Sequence, residues 1–342
     1  MIFAYTGDIH LSRYGQDKIE DTTNLPERLH SIKNVLYEIA NYCIENDIKD
    51  LFIGGDILHG KSVIHAVAQD IMLDFFKDFE GKIFFHVIDG NHDLSGKGDS
   101  VVSALKTLRS VSNVRWIGFT ETYRIEEDDI LFVPYSYNLP RIVNDNKAKI
   151  LISHFGLNEG MLNSGLSIIS DISMKQLTGS YELVLLGHYH KPQEIINPNI
   201  SLYYVGSPIQ LDWGEKGDEK RFLVVDSNTM NVQSIPITQY KKHIELELTA
   251  ENKTDILKLA KQSKDNGDHV KVIMKEAVDL TDVSGEFNVI DKTDQDITDR
   301  GITSTMSEMD KMERYMEIKK IPVDQWDKYK LAATEIIDGC EV

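Results

Sequence analysis

Short apolar runs alternate with longer segments of helical periodicity in the first third of the chain. Residues 2–5, 50–53 and 82–88 form apolar runs that are typical of buried strands. Between residues 28 and 44, apolar side chains recur at intervals of three and four, which predicts a helix with one buried face. Residues 64–79 predict a second helix. Strands and helices in this alternating order indicate a layered α/β domain.

Strand-like runs dominate the chain after residue 114, and helical segments become rare. Residues 100–110 predict the last helix before this region. The strand-like runs cover residues 130–133, 149–152, 183–186, 202–205, 222–225 and 232–237. A central sandwich of two sheets with helices outside fits this order better than one doubly wound sheet. The predicted fold class is therefore α/β, with a β-sandwich flanked by helices.

The pattern becomes polar around residues 239–242 and then starts again. A strand over residues 243–248, a helix over 253–264 and a strand over 270–274 predict a second, smaller α/β domain. Residues 291–304 contain many Asp and Thr residues and few apolar ones, which predicts a linker.

Two amphipathic helices are predicted after this linker, over residues 306–318 and 324–337, and Ile321-Pro322 separates them. The chain is thus expected to contain four segments. They are a first domain over residues 1–238, a second over 239–290, a linker over 291–304 and terminal helices over 305–342.

The composition fits a globular chain in a reducing compartment. Of 342 residues, 41% are apolar, which is sufficient for a buried core. The two cysteines, Cys43 and Cys340, form neither a CxxC pair nor a Cys/His cluster, which argues against disulfides and thiolate zinc sites. The first residues lack a signal-peptide pattern, and no apolar run reaches the about 18 residues that a membrane helix needs. We therefore expect a soluble cytoplasmic protein that does not associate with membranes.

The formal net charge of −18, from 37 basic and 55 acidic residues, bears on the binding of polyanions. Phosphate contacts by basic side chains normally supply much of the affinity for nucleic acid. A local basic surface or bound metal ions can nevertheless reverse the field at one site. If the ligand is a nucleic acid, we expect the isolated chain to bind it weakly and to depend on a partner.

Five short polar motifs follow apolar strand-like runs. They are Asp8-Ile9-His10, Gly54-Gly55-Asp56 with His59, Gly90-Asn91-His92-Asp93, Ser153-His154 and Gly187-His188-Tyr189-His190. Each motif alone also occurs in ordinary turns, but five in a fixed order after strands indicate a shared site. Strand ends in layered α/β domains converge on one edge of the sheet. Carboxylate, amide and imidazole donors without thiolates suit borderline-hard divalent metals, so the motifs predict a metal site.

The order of these motifs, D-x-H, GD-x-x-H, GNHD, a single H and GH-x-H, resembles the calcineurin-like metallophosphoesterases. The resemblance spans residues 2–237 and is complete at every metal-ligand position. It implies that Asp56 bridges two metal ions. It further implies that Asp8, His10 and His190 hold one ion, and that Asn91, His154 and His188 hold the other.

The resemblance also implies a mechanism. Two ions about 3.5–4 Å apart acidify a shared water to hydroxide, which attacks the phosphoester in line with the leaving oxygen. His92 is expected to protonate that oxygen or stabilise its charge, and a purely structural role next to the ligands is the alternative. Asp93 either orients the His92 ring or caps the turn.

Residues outside the ligand set resemble one branch of this family, the SbcD and meiotic-recombination-eleven nucleases. His59 in the second motif resembles the histidine that orients the phosphodiester in this branch, although it also fits an ordinary loop. Residues 204–211, with Gly206-Ser207-Pro208, together with Glu215 and Lys220, resemble the stretch that closes the SbcD nuclease domain. The resemblance implies a DNA nuclease of double-strand break repair and recombination. Its expected activities are 3′–5′ exonuclease and single-strand endonuclease, with Mn²⁺, or alternatively Mg²⁺, as cofactor.

The resemblance implies three partners: DNA, a second copy of the chain, and an SMC-like ATPase subunit of SbcC type. The second domain is expected to act as a DNA-capping domain. The terminal helices, whose methionine-rich face suits a partner helix, are expected to dock on the ATPase, with packing on their own domain as the alternative. The compact length resembles the recombination nucleases of large phages, so the expected location is the cytoplasm of a bacterium or an infected host.

A homodimer within a heterotetramer is expected from the same resemblance. The predicted helix over residues 64–79 is unusually apolar at Leu73, Phe75, Phe76 and Phe79, which is compatible with either an interface or ordinary core packing. Two other functions compete with the nuclease. One is another phosphatase or nucleotide phosphodiesterase of the same chemistry, and the other is a non-catalytic scaffold.

Overall fold

A computed structural model describes the chain over residues 1–13, 19–20, 23–61, 63–96, 100–125, 128–136, 138–165, 170–280, 287–292, 306, 308–326 and 329–330. The chain forms two compact units, Met1–His243 and Ile244–Val342. The domain boundary predicted from the sequence falls between residues 238 and 239.

The described residues of the first unit form fourteen strands, and the first three overlap the apolar runs at residues 2–5, 50–53 and 82–88. The strands are β1 (Ile2–Thr6), β2 (Asp50–Ile53), β3 (Phe84–Ile88), β4 (Leu94–Ser95), β5 (Val102–Ser103), β6 (Val114–Ile117), β7 (Glu121–Ile125), β8 (Asp128–Val133), β9 (Ile150–His154), β10 (Leu183–Gly187), β11 (Gln193–Asn197), β12 (Ile200–Tyr204), β13 (Arg221–Asp226) and β14 (Asn231–Pro236). Its helices are α1 (Glu27–Glu45), α2 (Ala66–Asp78), α3 (Leu139–Asp145) and α4 (Met174–Leu177), with short 3-10 helices at Ala104–Ser110 and Trp213–Glu215.

Two six-stranded sheets dominate this unit. Their strand orders are β14-β13-β1-β2-β3-β6 and β11-β12-β10-β9-β8-β7. In the first sheet, β1, β2, β3 and β6 are parallel. On the other side of β1, β13 pairs antiparallel with β1, and β14 pairs antiparallel with β13. In the second sheet, β8, β9, β10 and β12 are parallel, and β7 and β11 are antiparallel edges.

The alternation of side chains along β1 shows how the layers pack. Phe3 and Tyr5 belong to an apolar cluster between the two sheets, whereas Ala4 belongs to a cluster between the first sheet and helices α1 and α2. Successive side chains of a strand point to opposite faces, so one strand supplies two cores. A third cluster lies between the second sheet and the segments around α3 and α4. The predicted sandwich of two sheets flanked by helices is therefore confirmed.

The apolar face of α2 is explained by core packing. Phe75, Phe76 and Phe79 are buried in the cluster beneath the first sheet, and Leu73 is partly buried against it. Of the two roles that the sequence left open for these side chains, the structure thus shows the core role.

The helix predicted over residues 100–110 is partly wrong. Val102–Ser103 forms the short strand β5, and only Ala104–Ser110 is helical, as a 3-10 helix. The Ser103 hydroxyl accepts a hydrogen bond from the Leu105 backbone N–H at 3.0 Å, which begins the helix at that point. The sequence also missed α3, because seven residues with a proline in the first turn give no clear helical period.

The second unit has a small three-stranded sheet of order β15-β16-β17, formed by β15 (His243–Leu248), β16 (His269–Met274) and β17 (Asn288–Asp291). Helix α5 (Lys253–Asp265) packs on it through a core of Leu248, Ala260 and Val272. The two strands and the helix predicted before residue 275 are confirmed.

The final segment is described only in part. Helix α6 (Glu308–Ile318) matches the first predicted terminal helix, and a 3-10 turn at Val323–Gln325 begins the region of the second. Residues 293–304 of the predicted linker and residues 327–328 and 331–337 of the last predicted helix lie outside the described residues. Among the helices that are described, none is long and apolar enough to cross a membrane.

We expect Phe85→Ala to lower the free energy of unfolding by about 3–5 kcal/mol, because it leaves a cavity in the core. Phe85 is 0% exposed, and its ring centre lies 5.2 Å from that of Phe75 and 4.9 Å from that of Phe76. Urea unfolding followed by circular dichroism measures the change.

Phe84→Ala is the matched control. It removes the same ring one residue earlier in β3, where the side chain is 40% exposed. We expect Phe84→Ala to lower the free energy of unfolding by less than half as much as Phe85→Ala. Equal losses at the two positions would contradict the assignment of the faces of β3.

Candidate metal centre

The seven predicted metal-binding residues meet at one edge of the sandwich. Strands β1, β2 and β3 run parallel, and so do β9 and β10, so the carboxyl ends within each set lie side by side. The structure brings together the side chains that follow or end these strands. They are Asp8, His10, Asp56, Asn91, His154, His188 and His190.

The backbone at this edge is held in an uncommon conformation. Asp8, His10, Asp56 and His188 have positive φ angles of 50°, 54°, 52° and 97°. A residue in this conformation lowers the stability of the fold by on the order of 1–3 kcal/mol, and it persists only where the surrounding structure enforces it. Gly55, with φ of 91°, has no room for a side chain, because a Cβ there would lie 2.7 Å from the Gly90 nitrogen. The turns are thus shaped to aim their side chains at a common point.

The first donor cluster consists of Asp8, His10 and His190, whose donor atoms lie within 4.8 Å of one another. The Nε2 atoms of His10 and His190 are 3.0 Å apart. Two donors that bind one cation at about 2.1 Å and at right angles are themselves about 3.0 Å apart. The spacing of these ring nitrogens therefore fits a shared divalent cation.

The second donor cluster is centred on Asn91. Its Oδ1 lies 3.1 Å from Nε2 of His154 and 3.0 Å from Nδ1 of His188. Asp56 connects the two clusters, because its Oδ2 is 3.5 Å from Nε2 of His10 and 3.4 Å from Nε2 of His154. One carboxylate oxygen thus faces both clusters, and the donor set fits two adjacent cations.

Two of the histidines have their second ring nitrogen occupied by the protein. Nδ1 of His154 donates to the carbonyl of Gly54 at 2.8 Å. Nδ1 of His190 lies 2.9 Å from Oε1 of Glu215 and donates to it. A proton fixed on Nδ1 leaves the lone pair of Nε2 for a metal, so these bonds select the ligating tautomer.

Glu215 is itself held by a buried network. Its Oε2 accepts hydrogen bonds from the Ser207 hydroxyl at 2.8 Å, the Leu211 backbone N–H at 3.1 Å and the Lys220 ammonium at 2.7 Å. Burial raises the pKa of Glu215, but the His190 hydrogen bond and the Lys220 charge outweigh it and lower the pKa to about 2. The sequence marked this stretch only as a family resemblance, and the structure adds that it positions His190.

The histidines outside the donor set lie beside the first cluster. Nδ1 of His92 donates to the carbonyl of His59 at 2.8 Å, and the two rings stack with centres 5.0 Å apart. Nδ1 of His59 is 3.2 Å from Nδ1 of His10. The His92 backbone N–H donates to Oδ1 of Asp56 at 2.7 Å. With Nδ1 used by the carbonyl, Nε2 is the atom of His92 that can exchange a proton.

Asp93 caps the turn and does not orient His92. Its two carboxylate oxygens accept backbone hydrogen bonds from Leu58 and Gly90, both at 2.9 Å. Burial and the nearby charges of Asp56 and Asp89 raise the pKa of Asp93 well above its ordinary value. The hypothesis that Asp93 orients the His92 ring is therefore wrong, and the turn-capping role is confirmed.

The pKa values of the clustered histidines are shifted in opposite directions. Burial by itself lowers the pKa of His154, but the adjacent Asp56 carboxylate raises it to about 9. Burial and the His154 charge lower the pKa of His188 to about 3. Without a cation, a proton on His154 therefore offsets the Asp56 charge, which is a role that a divalent cation at the same place would take over.

We expect Glu215→Gln to weaken Mn²⁺ binding by about 10- to 100-fold, because His190 loses the carboxylate that fixes its tautomer and raises its basicity. Titration calorimetry with Mn²⁺ on the full chain measures the affinity. Glu194→Gln is a matched control, because Glu194 pairs with Arg221 at 2.7 Å outside the donor clusters.

A second variant separates positioning from folding. Glu215→Gln leaves Lys220 buried beside a neutral group, which is itself destabilising. The double variant Glu215→Gln with Lys220→Met removes both charges, so it should regain thermal stability while Mn²⁺ binding stays weak. Wild-type affinity in the double variant would contradict the positioning role.

Comparison with known proteins assigns the family. The sequence model of the calcineurin-like phosphoesterases matches residues 1–192. The chain is 24% identical over 200 residues to the putative phosphoesterase 244L of Invertebrate iridescent virus 6, and the match covers 56% of this chain and 70% of that protein. It is 24% identical over 211 residues to exonuclease subunit 1 of Enterobacteria phage T4, covering 58% of this chain and 59% of that protein.

A third relative is the uncharacterised protein R555 of Acanthamoeba polyphaga mimivirus, 26% identical over 195 residues, with 52% of this chain and 14% of that protein covered. The chain thus spans less than two thirds of the length of two of these three relatives.

Solved structures that resemble the chain include an archaeal phosphodiesterase and a hypothetical protein of Pyrococcus horikoshii OT3. The first is 11% identical with a TM-score of 0.39, over 69% of this chain and 100% of that chain. The second is 15% identical with a TM-score of 0.40, over 77% of this chain and 93% of that chain.

All seven clustered donors lie within residues 1–192, the segment that the family model matches. This segment is more than half of the chain, and its donor set fits the two divalent cations of such enzymes. The chain therefore belongs to the calcineurin-like phosphoesterase family.

Proposed function

We propose that this phosphoesterase cleaves DNA and serves as the nuclease subunit of an SbcCD-type complex in double-strand break repair and recombination. The observation that carries the proposal is the placement of His59. It lies directly beside His10 of the first donor cluster and stacks on His92. A histidine there adds a contact for the non-bridging oxygens of a phosphodiester that the seven donors alone do not supply.

Two further findings support a nuclease over a general phosphatase. One relative, from phage T4, is an exonuclease subunit. The second finding is the Ser207, Glu215 and Lys220 network, which uses the SbcD-like stretch of the sequence to hold His190.

The roles of the chain's residues follow from their positions. Two divalent cations, when bound, acidify water and neutralise charge on the phosphoryl oxygens. Asp8, His10 and His190 would hold one, Asn91, His154 and His188 the other, and Asp56 both. We assign Mn²⁺ as the cofactor, with Mg²⁺ as the alternative.

We assign proton transfer to the leaving oxygen to His92. The His59 carbonyl fixes the proton on Nδ1 of His92, so a protonated ring presents Nε2–H to the substrate. The stacked His59 ring limits rotation of His92 and is placed to orient the phosphodiester. The activities proposed for this site are 3′–5′ exonuclease and single-strand endonuclease.

We expect His92→Ser to lower Mn²⁺-dependent degradation of end-labelled duplex DNA by about 100-fold or more, because a positioned acid contributes about 10²–10⁴-fold. The loss should be much smaller with bis(nitrophenyl) phosphate, whose nitrophenolate leaves without a proton. Mn²⁺ stoichiometry should not change, since His92 is outside the seven donors.

Three comparisons make this experiment decisive. His30→Ser, a partly exposed histidine on α1, should retain full activity. Equal losses on DNA and on bis(nitrophenyl) phosphate would remove the proton-donor role from His92. A wild-type chain that hydrolyses nitrophenyl phosphates with Mn²⁺ and leaves duplex and single-stranded DNA intact would refute the nuclease and favour another phosphatase or nucleotide phosphodiesterase.

The proposed partners concern the remaining segments. We assign residues 239–290 as a DNA-capping domain and the terminal helices as the docking element for an SMC-like ATPase of SbcC type. Helix α6 carries exposed apolar side chains at Tyr315 and Ile318, which suit a partner surface. A homodimer within a heterotetramer is part of the same proposal.

We expect deletion of residues 300–342 to abolish association with the ATPase subunit and to leave Mn²⁺-dependent nuclease activity within about twofold, because all seven donors precede residue 191. Size-exclusion chromatography of mixed subunits measures association. A subtler variant, Ile318→Glu, should weaken association through one exposed position. Retained association of the deletion variant would refute the docking role.

A further inference from the structure

A cleft of about 400 Å³ opens next to the metal centre, on the same edge of the sandwich. It lies where β3, β6 and β8 end, and its walls include Asp89, Trp116, Phe119 and Tyr135. Because β6 is parallel to β3 and β8 is parallel to β9, these ends adjoin those that carry Asn91 and His154. A volume of this size is within the about 300–1,000 Å³ typical of small-molecule sites.

The cleft and the metal centre are joined by short connections. Asp89 precedes the Asn91 donor by two residues, and its carbonyl accepts a hydrogen bond from the Tyr135 backbone N–H at 2.9 Å. The Tyr135 ring centre is 6.4 Å from that of His154. Tyr135 thus lines the cleft on one side and lies beside the His154 donor on the other.

The side chain of Trp116 in the cleft wall is held by hydrogen bonds and close packing. The Trp116 indole N–H donates to Oδ1 of Asp89 at 2.9 Å, and the Ser103 hydroxyl donates to the same oxygen. Gly118 leaves room for the ring, because a Cβ at this position would lie 2.3 Å from Trp116 Cζ2. The indole is therefore fixed in place before any ligand arrives.

The other features of the cleft suit a nucleotide. Phe119 is 76% exposed, so the faces of its ring are accessible to a ligand at the cleft. Lys106 and Arg109 are exposed at the same cleft, and the Arg109 guanidinium lies 4.5 Å from the Trp116 ring centre. Neither cation forms an ion pair with any residue that the structure describes. In a chain of net charge −18, this cleft thus combines an exposed aromatic ring with two exposed cationic side chains.

We propose that this cleft binds one unpaired nucleotide of the DNA strand, adjacent to the phosphodiester at the metal centre. The base packs against Phe119 beside the Trp116 wall, and its phosphate faces Lys106 and Arg109. Stacking on aromatic rings with cations along the backbone is the usual means of holding single strands without sequence preference. The inference rests on the proposed nuclease function and names how that site holds its strand.

Binding of a fluorescein-labelled ten-residue oligothymidine to the full chain, in a chelator that prevents cleavage, tests the inference by anisotropy. Phe119→Ala should raise Kd about 10-fold, as expected for loss of one stacked base. The control Phe84→Ala removes a partly exposed phenylalanine at the opposite, amino-terminal end of β3 and should leave Kd unchanged.

The contribution of Lys106 and Arg109 is measured by the salt dependence of binding. The double variant Lys106→Ala with Arg109→Ala should reduce the slope of log Kd against log salt by about 0.7, since each neutralised phosphate on a single strand contributes about 0.7. Lys49→Ala with Lys82→Ala, at the amino-terminal ends of β2 and β3, should keep the wild-type slope.

Small substrates separate failure of the inference from failure of the proposed function. Mn²⁺-dependent hydrolysis of bis(nitrophenyl) phosphate, which carries no base, should be unchanged in Phe119→Ala. If the wild type binds and cuts DNA but Phe119→Ala binds oligothymidine within twofold of it, the cleft does not hold the strand. A joint loss of bis(nitrophenyl) phosphate hydrolysis would also overturn the inference, because the effect would then act through the metal centre. A wild type that neither binds nor cuts DNA would instead refute the nuclease function itself.

Discussion

The close approach of two carboxylates and four imidazoles around a shared point is the constraint on which the site depends. Donor atoms of His10 and His190 lie 3.0 Å apart, and Asp56 faces both clusters at about the same range. Groups with these charges and lone pairs do not gather without a cation or a rigid frame. The frame here is backbone held at positive φ at Asp8, Asp56 and His188, which the packed sandwich keeps in place.

Three histidines of the site, two donors and the neighbouring His92, are fixed by groups distant from them in the sequence. His154 is oriented by the carbonyl of Gly54, and His190 by Glu215. His92 is oriented by the carbonyl of His59. Since these anchors are buried or backbone groups, the orientation of the rings is built into the fold rather than created by the metal. The site is therefore preorganised. Because the donors are positioned by their supporting residues, a small displacement of those residues is expected to lower metal affinity or reaction rate.

The sandwich also explains why one edge carries all the chemistry. Parallel strands in both sheets end at the same edge, and the turns after them lie outside the two main sheets, so polar side chains can be gathered there without entering the apolar clusters. The metal centre occupies the turns after β1, β2, β3, β9 and β10. The cleft lined by Trp116 and Phe119 occupies the neighbouring ends of β6 and β8.

The sequence alone was sufficient for features that depend on local pattern. Apolar periodicity located α1, α2 and most central strands. The five motifs predicted one shared metal site, because strand ends converge in a layered fold, and the family resemblance implied which seven residues are the donors. Only the tertiary structure showed which hydrogen-bond partners and which buried contacts these residues have. It showed that Asp93 bonds to Leu58 and Gly90 rather than to His92, and that Phe75 and Phe76 of α2 lie in the core. It also showed that Glu215, twenty-five residues from His190, is the group that holds it. The physical reason is that a hydrogen-bond partner is set by the packing of elements distant in the sequence, whereas residue type and spacing set only which chemistry is available.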